Sequence, residues 1–328
     1  MINRREPVAE LLVDDAVPAA LKERLRAVQA MRDFASAELG LPDNDSYRSY
    51  ADLERRYVVW NVFAAPAYSV EPQQWCFVFV GCVTYRGYFR EEKAQAFAAD
   101  LKAEGLDAYV GGVAAYSTLG NFADPLLNTM LYNDDLGLAA LLFHELSHQL
   151  LFVKGDTAFN ESFATAVEEE GLRRWLVANG KPEDFAIYQQ RKRRAADFAA
   201  LIGAARENLR GVYAATGDDE TAAAAKAAAF ADLQADYESL KASWGGYAGY
   251  DAWFARDLNN AHLASVSAYR GLVPAFRVLL AQSNDDLAEF YRRVEALAAL
   301  DRDERHAELA VLEAAAEKDP SGSGVSPR

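Results

Sequence analysis

The sequence contains few cysteines and few histidines. It has only two cysteines, Cys76 and Cys82, and only four histidines among 328 residues. Two cysteines are too few for a disulfide-stapled scaffold, so the fold must depend on its apolar core. Because 51% of the residues are hydrophobic, a chain of this length can bury a large core, in one domain or in two lobes.

The sequence also lacks an uninterrupted apolar run and an excess of positive charge. Its longest apolar stretch, residues 138–153, contains two histidines and a glutamate, which would be costly in lipid. The formal net charge is −15, so the surface repels phosphate backbones and anionic lipid. We therefore expect neither membrane insertion nor nucleic-acid binding. The N-terminal residues do not have the apolar core of a signal peptide.

The hydrophobic pattern changes along the chain from mixed to helical. β-branched and aromatic residues predict strands at 57–64, 75–85 and 107–113. Helical periodicity predicts helices at 18–40, 90–104, 136–153, 157–178, 183–214 and 219–244, with two more to about residue 317. The sequence thus predicts an α+β, mainly helical fold. We expect one unit over residues 1–317, with an α/β lobe at 1–153, a helical lobe at 154–317 and a disordered tail at 318–328.

Two of the four histidines lie four residues apart in the apolar stretch LLFHELSHQLLF. On a helix, His144 and His148 project from one face, so both imidazoles can reach one Zn²⁺. Glu145 then lies beside the open coordination position, where it can activate a water molecule. Burying these groups without partners would cost on the order of several kcal/mol. Two hydrogen-bonded core histidines are the alternative to a metal site.

A catalytic zinc site needs a third protein ligand. Gly155 allows the chain to turn after the first helix, and either Asp156 or Thr157 would cap the second. Glu161 then lies on the first turns of a helix that can pack against the metal-binding helix. Glu168, seven residues later on the same face, is the competing ligand.

The motif HELSHQ followed by NESFAT resembles the gluzincin metallopeptidases, especially the aminopeptidase N group, whose pattern is HExxHQ followed by NEGFAS. The resemblance implies a zincin-like fold, with Glu161 as the third zinc ligand. It also implies that Thr165 supports a ligand histidine. The chain departs from the pattern in its spacing, because only twelve residues separate His148 from Glu161.

A wider resemblance covers nearly the whole chain. The stretches DNDSYRSYADL, VVWNVFAAP, CVTYRGYF and NNAHL are similar to a bacterial family described as predicted aminopeptidases. This resemblance implies a peptide substrate and a location in the periplasm or cell envelope, with the cytoplasm as the alternative.

Peptide hydrolysis also needs a donor for the oxyanion that forms at the attacked carbonyl. Gluzincins often use a tyrosine or histidine from the helical lobe, and here Tyr269 is preferred to the other candidates Tyr247, Tyr250 and His262. Each of these side chains has an alternative role in core packing.

The segment before the metal-binding helix contains Tyr116, Ser117 and Thr118. It either pairs with the substrate backbone by strand addition or forms an ordinary loop. An aminopeptidase must also hold the substrate's α-ammonium group, but the GxMEN motif of the aminopeptidase N group is absent. The acidic run at 168–170 is more typical of a solvated helix face.

Three functional hypotheses follow. A zinc peptidase is favoured, with aminopeptidase activity ahead of endopeptidase activity. The second is a non-catalytic zinc protein of the cell envelope that binds a peptide or partner, although such a protein has no use for Glu145. The third is a helical scaffold without metal.

The segment WCFVFVGCVTY permits two arrangements of the cysteines. As a hairpin, it brings Cys76 and Cys82 within disulfide range. As one continuous strand, it separates them by roughly 20 Å. The apolar FVFV favours the strand, whereas Gly81 and the export implied by the family resemblance favour the bridge.

Overall fold

The computed structural model describes residues 4–77, 81–115, 118, 122–216, 218–266 and 271–318, and all structural statements concern these residues. With 62% helix and 10% strand, the structure confirms the α+β, mainly helical class. The zincin-like fold stays a prediction. No helix among the described residues is long and apolar enough to cross a membrane.

The strands and helices are numbered separately in chain order. The strands are β1 (Glu6–Pro7), β2 (Ser49–Ala51), β3 (Val59–Pro66), β4 (Trp75–Phe77), β5 (Gly81–Val83), β6 (Arg86–Tyr88), β7 (Leu106–Val113) and β8 (Leu126–Leu127). The α-helices are α1 (Val8–Val13), α2 (Ala19–Ala37), α3 (Glu91–Ala103), α4 (Asp135–Leu150), α5 (Thr157–Ala178), α6 (Phe185–Ala215), α7 (Asp219–Ser243), α8 (Asp251–Phe254), α9 (Asn260–Ala264), α10 (Val273–Gln282), α11 (Leu287–Ala298) and α12 (Arg302–Lys318). Short 3₁₀ turns span Met130–Tyr132 and Pro182–Asp184.

The chain divides into two compact units, each assembled from separate segments. Unit 1 comprises residues 1–54, 117–188 and 269–328, and unit 2 comprises residues 55–116 and 189–268. The single unit over 1–317 with a lobe boundary at 153 stays a prediction about domain organisation. Of the expected tail, residues 319–328 lie outside the described residues.

Unit 1 is built around the packed pair α4 and α5. The small sheet of this unit has the order β1-β2-β8, with β1 antiparallel and β8 parallel to β2. Gly171 of α5 allows a close helix approach, because a Cβ atom there would lie 2.7 Å from Leu39 and 3.1 Å from the ring of Phe143. Buried aromatic rings fill the other side of α5, where Phe163 contacts both Phe276 of α10 and Phe290 of α11.

The beginning of α5 is anchored by a buried ion pair. Asp156 caps the helix by accepting a hydrogen bond from the backbone N–H of Phe159, which selects it over Thr157 as the cap. Its carboxylate, 1% exposed, accepts a hydrogen bond from Nε of Arg305 at 3.0 Å. Nε2 of His306 lies 2.8 Å from the same carboxylate oxygen. The last helix, α12, therefore holds the N-terminus of α5.

Unit 2 contains an antiparallel sheet of order β6-β3-β7, covered by α3. A second hydrophobic core forms between α6 and α7, with α8 and α9 packed against it. Strands β4 and β5 form a hairpin in which Cys76 pairs with Cys82, and the two are joined by a disulfide. The structure thus selects the hairpin over the continuous strand at 75–85.

Up to residue 244, helix boundaries lie within three residues of the predicted ones. The prediction of two further helices to about residue 317 is wrong, because the described residues after α8 form four helices, α9 to α12. Helix α5 has the predicted bounds of 157–178, whereas the helix predicted at 136–153 ends at Leu150. Leu151 already has extended dihedral angles, φ −148° and ψ 129°. The apolar pattern continues through Val153, but its backbone is bonded to the side chain of Asn160 and not to the helix.

Candidate metal centre

The candidate centre lies between α4 and α5 in unit 1. Helix α4 carries His144, Glu145 and His148, and its N-terminus is capped by Asp134. The chain then turns at Gly155, whose φ of +85° favours glycine. The tight connection expected from the twelve-residue spacing places Glu161 on the second turn of α5, beside the two imidazoles.

Three donor atoms from these helices converge. Nε2 of His144 lies 3.2 Å from Nε2 of His148. The carboxylate oxygens of Glu161 lie 3.4 Å from Nε2 of His144 and 3.6 Å from Nε2 of His148. Donors of a tetrahedral zinc site at about 2.0–2.1 Å from the ion are themselves about 3.3 Å apart. One oxygen of the Glu161 carboxylate thus lies near each imidazole, and the two nitrogens and the carboxylate match the ligand types and the approximate spacing of a zinc site.

Glu168 occupies a different place from Glu161. One of its oxygens lies 3.0 Å from Nδ1 of His144, and the other accepts a hydrogen bond of 2.7 Å from the hydroxyl of Tyr188. A proton on Nδ1 that donates to Glu168 leaves the lone pair of neutral His144 on Nε2. This geometry favours Glu161 as the ligand. Glu168 instead orients the imidazole ring of His144.

The electrostatics of the two histidines differ sharply. Burial alone would lower the pKa of His144, but hydrogen bonds to Glu161 and Glu168 and the charge of Glu145 raise it to about 9. Burial, reinforced by the positive charge of His144, lowers the pKa of His148 to about 4. The carboxylates thus favour the protonated form of His144, whereas burial and His144 favour the neutral form of His148.

Nδ1 of His148 is buried and has no hydrogen-bond partner among the described residues. The resemblance to gluzincins assigned the support of a ligand histidine to Thr165. Thr165 is buried on α5, but the hydrogen bond at Nδ1 of His144 comes from Glu168. The role of Thr165 stays a prediction.

A family model described as "Putative aminopeptidase" matches residues 1–309. The chain belongs to that family. Comparisons with curated proteins and with solved structures found no significant match. Membership of the aminopeptidase family indicates a peptidase and hence a peptide substrate.

An aminopeptidase must bind an α-ammonium group, and the acidic run on α5 is already engaged within the chain. Glu168 contacts His144 and Tyr188, as described above. Glu169 accepts two hydrogen bonds of 2.8 Å from Arg277 of α10. Glu170 accepts hydrogen bonds from Arg173 and Arg174. The run is thus a set of structural contacts, and the solvated face expected for it is wrong for Glu168 and Glu170, which are both buried.

The remaining predicted residues are only partly described. Tyr116, Ser117 and Tyr269 lie outside the described residues. The backbone N–H of Thr118 donates to the carboxylate of Asp124, so this N–H is used within the chain. The roles assigned to these four residues stay predictions.

The other oxyanion candidates belong to unit 2. His262 caps its own helix, with Nδ1 3.0 Å from the side chain of Asn259, and its ring packs on Tyr109 at 4.2 Å between centroids. Burial lowers the pKa of His262 to about 4, with Arg256 as the next cause. The ring of Tyr247 stacks on Arg194.

Sequence reasoning missed two features of the centre. The first is the pairing of Glu168 with His144, although the position of Glu168 on the same face as Glu161 had drawn attention to it. The second is Tyr188, which lies beyond the end of α5 and has no local signal that connects it with Glu168. Both depend on packing between elements that the local pattern does not specify.

Proposed function

We propose that the chain is a zinc-dependent peptidase that binds one Zn²⁺ through His144, His148 and Glu161 and uses Glu145 as its general base. The observation that carries the proposal is the convergence of three side chains on two adjoining helices, with 3.2 Å between the two Nε2 atoms and 3.4 and 3.6 Å from these atoms to the carboxylate of Glu161. Family membership supports the hydrolysis of peptide bonds.

The residues divide the chemistry among them. A bound zinc ion lowers the pKa of coordinated water toward neutrality and polarises the substrate carbonyl. Glu145 follows His144 on α4 and takes a proton from the attacking water, which it later passes to the leaving amine. Glu168 accepts a hydrogen bond from Nδ1–H of His144, which leaves the lone pair on Nε2. Tyr269 remains our candidate for the second oxyanion donor.

Metal analysis combined with a peptide assay tests this proposal. Protein purified without chelator should contain about one zinc per chain, and His144→Ala or His148→Ala should lose it. Glu145→Gln should keep the metal and lose about 10²–10⁴-fold in hydrolysis, since only the base is removed. Wild-type protein without zinc, or Glu145→Gln with full activity, would reject the proposal.

Aminopeptidase action is the favoured form, because of the family, and endopeptidase action is the second candidate. The observation that favours the second is that Glu168, Glu169 and Glu170 all contact other side chains of unit 1. A peptide with a free amine and its N-acetylated twin distinguish the two. An aminopeptidase cleaves only the first and releases residues in order, whereas an endopeptidase cleaves both. Zinc binding without any hydrolysis would instead favour the non-catalytic envelope protein.

We infer a location in the periplasm or cell envelope. The disulfide between Cys76 and Cys82 supports it, because such bonds persist in oxidising compartments and are rare in the cytosol. Cell fractionation with alkylation in the absence of reductant provides the test. Recovery from the envelope fraction with no labelled thiols would agree with the proposal, and recovery from the cytosol with two labelled thiols would contradict it.

A further inference from the structure

The three residues that follow α4, Leu151 to Val153, form a short segment outside helix and strand, and hydrogen bonds fix its position. Asn160 holds it from α5: the N–H of Val153 donates to Oδ1 of Asn160 at 2.8 Å, and Nδ2 of Asn160 donates to the carbonyl of Val153 at 2.8 Å. Asn160 is only 1% exposed, so solvent does not compete for these bonds. The N–H of Leu151 still bonds to the carbonyl of Ser147. Phe152 is therefore held from both sides.

Phe152 stands beside the metal centre and yet remains open to solvent. Its ring centroid lies 6.2 Å from that of His148, with the rings nearly perpendicular at 77°. The side chain of His148 is only 6% exposed, whereas Phe152 is 46% exposed. An aromatic face that is half in water and rigidly positioned gains stability when apolar groups cover it.

The charged side of the centre is also accessible. The side chain of Glu161 is 39% exposed, compared with 18% for His144. A carbonyl that reaches the donor atoms must therefore approach from the solvent side of Glu161. Residues adjoining that carbonyl have their Cα atoms about 3.8 Å apart along the substrate, so a side chain next to the scissile bond can reach the ring of Phe152.

We propose that Phe152 forms one wall of a substrate subsite and selects peptides with an apolar side chain next to the scissile bond. This inference rests on the proposed function, since it assigns a substrate preference to the same centre. Asn160 is the positioning residue of the subsite, because its two hydrogen bonds to Val153 fix the segment that carries Phe152.

The test measures binding and does not depend on hydrolysis. Zinc-loaded Glu145→Gln protein is titrated by calorimetry with penta-glycine and with peptides in which one glycine is replaced by leucine at each position in turn. We expect one leucine position to bind at least about tenfold more tightly than penta-glycine, in the range of apolar pocket contacts. The added substitution Phe152→Ala should reduce this preference to about twofold, and Phe152→Leu should restore most of it.

A matched control removes an aromatic ring at the opposite end of α4. Tyr132 is 71% exposed and precedes the N-terminus of the helix, whereas Phe152 follows its C-terminus. Tyr132→Ala should keep the leucine preference, and zinc content should stay the same in all variants. An equal leucine preference with and without Phe152, or no preference in the parent protein, would overturn the subsite. Oligomer mass that changes only in Phe152→Ala, with the preference intact, would also overturn it.

Failure of the proposed function gives a different result. If wild-type protein binds the leucine peptide selectively through Phe152 but cleaves none of the series, the subsite stands and the peptidase mechanism is wrong. If it cleaves every peptide at the same rate with and without Phe152, the mechanism stands and the subsite is wrong.

Discussion

Glu168 contacts His144 on the side of the imidazole that points away from His148 and Glu161. The distance from Nδ1 to the carboxylate is 3.0 Å, and the hydroxyl of Tyr188 holds the second carboxylate oxygen. A carboxylate in this position sets the tautomer and the direction of the ring without occupying a place at a metal ion. Its removal should therefore have a smaller effect than removal of a ligand.

Glu168→Gln should weaken zinc binding by about 10–100-fold, the usual loss when a partner of a metal-binding histidine is removed. Glu161→Gln should weaken it more, because a charged carboxylate at the metal is replaced by a neutral and weaker amide oxygen. Competition with a chromophoric chelator measures both affinities. Glu169→Gln, which breaks only the contact with Arg277, is the control and should bind zinc as the wild type does. Weaker binding in Glu168→Gln than in Glu161→Gln would reverse the two roles.

The ion pair between Asp156 and Arg305 at the N-terminus of α5 should make the free energy of unfolding depend on pH. Burial alone would raise the pKa of Asp156, but hydrogen bonds from His306, the backbone of Phe159 and Arg305 lower it below 3.8. The pKa of Asp156 is lower in the folded state than in the unfolded state. The ionised carboxylate therefore stabilises the fold fully at a pH above its unfolded pKa, and this stabilisation is lost as the pH falls through its folded pKa. Asp156→Asn should cost about 3–5 kcal/mol near pH 7, since Arg305 is left buried without its partner.

Urea unfolding of zinc-free protein at pH 7 and at pH 3.5 measures this effect. The difference between wild type and Asp156→Asn should be smaller at the lower pH. Glu308→Gln, on an exposed position of α12, should differ little from wild type at either pH. An equal difference at both pH values would show that the charge of Asp156 does not contribute.

Gly171 and Gly203 should respond to alanine with opposite signs. Alanine favours a helix over glycine by about 1 kcal/mol. At Gly171 the new methyl group would lie 2.7 Å from Leu39, and overpacking of this kind costs about 1–3 kcal/mol. At Gly203 in α6 an added Cβ atom would have no described atom within 4 Å apart from its chain neighbours and the local helix backbone. Thermal unfolding should show a lower midpoint for Gly171→Ala and a higher one for Gly203→Ala, and a gain at both sites would contradict the close helix contact.

Asn160→Ala should destabilise the protein by about 1–3 kcal/mol, because the N–H of Val153 loses its partner and the carbonyl of Val153 keeps only the N–H of Asp156. Val153→Ala removes only a side chain and keeps the two backbone bonds, so it isolates the contribution of the apolar contact. Urea unfolding compares the two variants. Hydrogen exchange at the amide of Val153 should become faster only in Asn160→Ala, and protection there in both variants would contradict the pairing.

Helix α4 shows where sequence reasoning succeeded and where it did not. The period of α4 placed His144 and His148 on one face, and the spacing to Glu161 predicted the convergence of the three side chains. The predicted end of α4 at residue 153 was wrong because Leu151, Phe152 and Val153 continue the apolar pattern. A side chain from the next helix competes for that backbone, and such competition is invisible to local periodicity.

Local periodicity also does not predict which segments pair with one another. The sequence permits both a hairpin and a continuous strand at 75–85, and the strand pairing with its disulfide shows that the segment is a hairpin. The contact between Arg305 and Asp156 joins positions 149 apart in sequence. Charge patterning within α12 carries no information about its partner in α5.

The short turn at Gly155 has a consequence for how the protein matures. His144 and Glu168 are only 24 positions apart, so the loop that must close to assemble the centre is small and its entropy cost is low. Contacts this local form early in folding, ahead of the distant pairings. The side chains of His144, His148 and Glu161 can therefore come together on a nascent chain, before α12 has been synthesised.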